Sequence, residues 1–145
     1  MKKLLLIIVV AVAAYTGVAQ NGSLSPSNVV AAGSGSDQVL ASALKNHRSD
    51  IQIEGQGTVI RILPDDVDGS RHQRFIIRLG SGQTLLVAHN IDIAERVTVL
   101  RVGDEVMFNG VYKWNSKGGV IHWTHHDPER RHTAGWIKHG GQIYQ

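Results

Sequence analysis

Histidine and aspartate gather in three short stretches of this 145-residue chain. The first is Asp65-Asp66, followed by His72 and Gln73. The second is His89-Asn90 with Asp92. The third runs from His122 and Trp123 through His125, His126 and Asp127 to His132. Five of the eight histidines fall between His122 and His139. Imidazole titrates near neutral pH and is a common metal ligand. With carboxylate it makes an ordinary donor set for zinc and similar divalent ions, at about 2.0–2.2 Å. The same groups serve hydrolysis: a histidine takes a proton from water, an aspartate orients it, and a metal or second histidine stabilises developing charge. A plainer reading stitches loops together. Asp127-Pro128 then caps a helical turn, and Asp65, Asp66 and Asn90 are turn residues. No HExxH string is present. The chain has no cysteine, and Ser70 lacks a nucleophile elbow.

Spacing limits which residues meet. In an ideal strand His122 and His126 share a face but stand about 13 Å apart, at roughly 3.3 Å per residue. A strand ending near Thr124 lifts that constraint and lets His125 or His126 meet His72 or His89. His126 and His132 also fit local ligand spacing. The candidate metal ligands are therefore His72, His89, His125, His126, Asp127 and His132. The candidate ligand-binding residues are Asp65, Asp66, His72, Gln73, His89, Asn90, Asp92, His122 and Trp123.

The elements that must position these groups are strands. Alternation of period two begins near Ile51. It predicts strands over 57–63, 73–79, 84–89, 105–114 and 120–124. Gly80-Ser81-Gly82 and 115–119 form hairpin turns, and one helical turn capped by Asn90 covers 91–97. Val106, Phe108, Tyr112 and Trp114 share a face, and Ile121 and Trp123 face the core. Centring the second hairpin near Ser81 pairs Phe75 with Val87, Gln73 with His89, and His72 with Asn90. Five short strands with one longer connection resemble an oligonucleotide/oligosaccharide-binding (OB) barrel. That resemblance implies that the third and fifth strands run parallel and close the barrel. All three His/Asp stretches then arrive at one rim.

Lys2-Lys3, the apolar run Leu4 to Ala14 and Gly17-Val18-Ala19 read as a secretory signal cleaved after Ala19. No stable membrane span is expected after cleavage, and the expected location is periplasmic or secreted. Residues 20–36 read as a flexible linker, 37–50 as a short helix capped by Ser36 or Asp37, and 51–145 as the barrel with a C-terminal tail. The whole chain has a net charge of +3. Without the leader, 13 basic residues face 12 acidic ones, too even a balance to favour nucleic acid as the partner.

The strings Gly69-Ser70-Arg71-His72-Gln73, His89-Asn90-Ile91-Asp92 and Gly118 through Pro128 resemble a family of small secreted bacterial proteins of unknown function. The resemblance implies export and a single domain, and it carries no activity. The expected fold is thus mainly β, a small five-stranded OB-like barrel with a short N-terminal helix. The expected function is binding of a small or polymeric ligand at the His/Asp rim, through a divalent metal such as zinc or without one. The alternatives are a metal-dependent hydrolase using the same cluster and a structural or protein-interaction module.

Overall fold

The computed structural model describes residues 32–145. The expected signal sequence and linker residues 20–31 lie outside the described residues. The elements are α1 (Ala32–Lys45), β1 (Ile51–Asp66), β2 (His72–Arg78), β3 (Thr84–Asn90), β4 (Glu105–Lys113), β5 (Val120–His122), β6 (Trp136–His139) and β7 (Gln142–Tyr144). The fold is mainly β with one short helix. No described helix is long and apolar enough to cross a membrane.

Five strands form a closed ring in the order β1, β2, β3, β5, β4 and back to β1. Strand β1 makes the closure because it serves two partners. Its first half pairs with β4, from Ile51↔Tyr112 to Thr58↔Glu105. Its second half pairs with β2, from Thr58↔Arg78 to Asp66↔His72. Register shifts fall between Val59 and Arg61 and between Leu63 and Asp66. Such bulges bend a strand and increase its twist, as a small closed sheet requires. Strands β6 and β7 extend the sheet from the outer part of β4.

Alternation along these strands turns one set of side chains inward. Phe75, Ile77, Leu85, Val87, Phe108, Tyr112 and Ile121 are buried together. Leu40 and Ala43 of α1 join them, and α1 packs against β1.

Several expectations change, among them the start of β1 at Ile51 and not Gly57. The helix starts at Ala32 and ends at Lys45, where 37–50 was expected, so residues 32–36 are helical and not linker. Asp37 is not the cap. Its Oδ2 accepts the Ser81 N–H at 2.9 Å, which ties mid-helix to the β2–β3 turn. Tertiary anchoring here overrides the weak propensity of a Gly/Ser-rich start. The helix stops because His47 adopts φ +52°, the left-handed conformation common just past a helix end.

Residues 91–97 form turns and no helix. One Ala94 N–H to Asn90 C=O bond of 3.2 Å is all that remains of the expected helical turn. The expected tail is a strand pair, β6 and β7. Finally, β5 ends at His122, and Trp123 takes φ +54°. The flip breaks the alternation, so Trp123 is 41% exposed and does not face the core.

Candidate functional site

The ring places the His/Asp stretches. The β2–β3 register is Phe75↔Val87, Gln73↔His89 and His72↔Asn90, as the hairpin centring predicts. Strand β5 runs parallel to β3, with Leu86↔Val120 and Val87↔Ile121. The start of β2, the exit of β3 and the exit of β5 therefore share one end. They open on a cleft of about 570 Å³ walled by His72, Asn90, His122, Trp123, His125 and His132, with Asp127 and Arg131 beside them. A depression of about 370 Å³, lined by Asp66, Arg74, Leu86 and Lys113, shares His72 and His122 with the cleft.

Four imidazoles thus share one cleft, and three are oriented alike. His72 Nδ1–H donates to the Ser70 carbonyl at 2.8 Å. His125 Nδ1–H donates to the His126 carbonyl at 2.6 Å. His132 Nδ1–H donates to the Thr133 carbonyl at 2.8 Å. A carbonyl only accepts, so each Nδ1 carries the proton and each Nε2 keeps its lone pair. None of these three Nε2 atoms has a hydrogen-bond partner among the described residues. His122 Nε2 is buried and also lacks one. Burial holds the His125 pKa below its ordinary value, and the neighbouring His132 and His72 act in the same direction. Burial likewise lowers that of His122, helped by Lys113.

Trp123 stacks on His132, with centroids 4.5 Å apart and rings 15° from parallel. His125 meets His132 edge to face at 5.3 Å. A left-handed φ at a bulky residue is costly and persists only where its surroundings impose it. Here Gly135 does so. Its N–H donates to the His125 carbonyl at 2.9 Å. A Cβ at Gly135 would lie 2.1 Å from the Trp123 carbonyl oxygen, so only glycine lets the two segments close.

The remaining candidates do other work. His89 is fully buried. Its Nε2–H donates to the Glu95 carbonyl at 2.9 Å, and Thr124 Oγ1 donates to Nδ1 at 2.7 Å. Both ring nitrogens are used, and burial lowers its pKa. Gln73 is buried behind the cleft. Its Nε2 donates to the Val97 carbonyl and its Oε1 accepts the Val97 N–H, each at 2.9 Å. These two side chains pin the 91–104 connection to the ring.

Asp127 ties its own loop. Oδ1 accepts the Glu129 N–H at 3.0 Å. Oδ2 accepts the His132 N–H at 3.1 Å and the Arg131 N–H. Desolvation pushes its pKa up, but these three N–H groups outweigh it and hold the carboxyl below the ordinary range. Asp92 accepts from Arg71 N and Nε at 2.9 and 2.8 Å, which lowers its pKa. Asp65 pairs with Arg96, and Asp66 accepts the Asp68 N–H at 3.0 Å. Asn90 Oδ1 accepts the Asp92 N–H at 3.0 Å. His126 is exposed and does not line the cleft. Among the described residues, no three His, Asp or Glu side chains stand close enough to hold one ion. Sequence reasoning missed Thr124, whose hydroxyl satisfies His89 Nδ1, and Gly135. Neither residue type signals such a role.

A family model described as "Protein of unknown function (DUF3465)" matches residues 23–145. No curated protein matches the chain.

Proposed function

For a chain that belongs to the DUF3465 family of proteins of unknown function, we propose an exported, OB-like binding module that captures a small ligand in the imidazole-walled cleft. One observation carries this reading. His72 at the start of β2 and His122, His125 and His132 of the 122–132 segment meet at one cleft, while Gln73 and His89 behind them are consumed in holding the fold. Paired polar groups buried for structure leave no acceptors open; these imidazoles do. The closed five-strand ring supports the OB-like reading, and the Lys2-Lys3 n-region with its apolar run supports export. The metal-dependent hydrolase has less support, because Asp65, Asp92 and Asp127 are committed to Arg96, Arg71 and a loop backbone.

The test is a melting-temperature screen against small compounds and ions, using wild type and the variants His72→Ala and His122→Ala. A ligand at a hundredfold excess over its Kd should stabilise wild type by about 2.7 kcal/mol and leave both variants little changed. Ligands that stabilise all three proteins equally would place binding elsewhere.

A further inference from the structure

We propose that His125 and His132 hold a zinc- or copper-class ion through their Nε2 atoms, with the ion's remaining positions open to a ligand in the cleft. The inference rests on the cleft being the binding site and names what is bound there. Histidine ligands of metals characteristically donate the other ring N–H to a backbone carbonyl or carboxylate, which fixes tautomer and ring direction. Both rings do this already, to the His126 and Thr133 carbonyls. They meet edge to face at 5.3 Å on the cleft wall.

The donor type selects the ion. Asp127 spends its oxygens on three backbone N–H groups and Glu129 pairs with Arg131, so the donors the loop leaves open are the imidazole nitrogens. Imidazole suits zinc, copper and nickel, whereas magnesium and calcium require oxygen. Asp127 Oδ2 stands 3.9 Å from His132 Nε2, close enough to offset a cation's charge. Two protein donors leave a four-coordinate ion two vacant positions. The cleft has room there, and the exposed Trp123 indole supplies a stacking contact for whatever accompanies the ion.

The experiment titrates the purified protein calorimetrically with zinc, copper(II) and magnesium chlorides. It compares wild type with His125→Ala, His132→Ala and His126→Ala, each checked for folding by circular dichroism. The expected result is one equivalent of zinc or copper in wild type and in His126→Ala, weakened at least about 100-fold in the other two, with no magnesium binding. Copper should also quench tryptophan emission in wild type and much less in Trp123→Phe, a readout that survives if a histidine variant misfolds. Unchanged affinity in His132→Ala, or loss only in His126→Ala, overturns the assignment. So does absence of zinc and copper binding. If a metal-free compound then still stabilises wild type but not His72→Ala, the metal alone falls and the cleft stands. If no compound does, both fall.

Discussion

Two histidines at the same end of the ring have opposite fates, and His89 and His125 show why. His89 points into the ring, where Thr124 and the Glu95 carbonyl use both nitrogens. His125 ties one nitrogen to the backbone and turns the other to the cleft. Replacing His89 by alanine strands two partners and leaves a void, so it should cost about 2–4 kcal/mol in urea unfolding. His89 also makes stability depend on pH. Burial lowers its folded pKa below 6.5, so the unfolded chain takes up the proton first as pH falls. The contribution is complete above about pH 6.5 and is lost as pH drops from there toward the folded value. Urea stability should therefore be lower at about pH 5.5 than at about pH 7.5. That difference should shrink in His89→Gln without vanishing, because His122 and His125 shift in the same direction. A pH difference untouched by the variant would remove His89 from the account. The residue types announced chemistry at both histidines. Which one serves it depended on facing, which type alone does not carry.

At the scale of elements, local pattern was legible where it was regular. The β2–β3 register follows from one tight turn and strict alternation, and it holds residue for residue. Strand β1 begins at Ile51, where the alternation starts, six residues before the expected start at Gly57. Gly55 is in fact required by a neighbour: a Cβ there would sit 2.7 Å from the Phe108 ring. That partner lies in β4 and is invisible locally. The helix start, the β6–β7 pair and the reversal at Trp123 were missed for the same reason, since each depends on a contact distant in sequence. The candidate site divides likewise. Its histidines were legible as a cluster and Asp127 as a turn cap, but the hydrogen bonds that commit Gln73 to the Val97 backbone were not. Gly135 offers a check on the reversal. Gly135→Ala must push the Trp123 carbonyl aside, and overpacking of this kind costs about 1–3 kcal/mol. The variant should lose that stability and weaken ligand binding together. Lost stability with intact binding would show that the cleft does not depend on the closure.

At the scale of the whole molecule, position in the ring and position in the chain disagree. The first strand completes its pairing only with β4, joining Ile51 to Tyr112, while the β2–β3 pair needs only a short turn. Closing long loops costs chain entropy before the contacts that reward it are made. Folds dominated by such distant pairings reach the native state in about milliseconds to seconds, well behind helical bundles. Stopped-flow refolding should fall in that range. Mutations at the β1–β4 seam, such as Ile53→Ala, should slow folding more than equally destabilising mutations within the β2–β3 hairpin. Equal effects on the folding rate would mean that the ring closes after the rate-limiting step. The order also has a meaning in time. As a chain is made from its N-terminus, β2 and β3 are available early, β4 and β5 follow, and the 123–135 loop with its last wall, His132, comes after them. The pocket therefore exists only once all five strands of the ring and the loop after them have been made, and a chain that has not finished closing has nothing with which to hold its ligand.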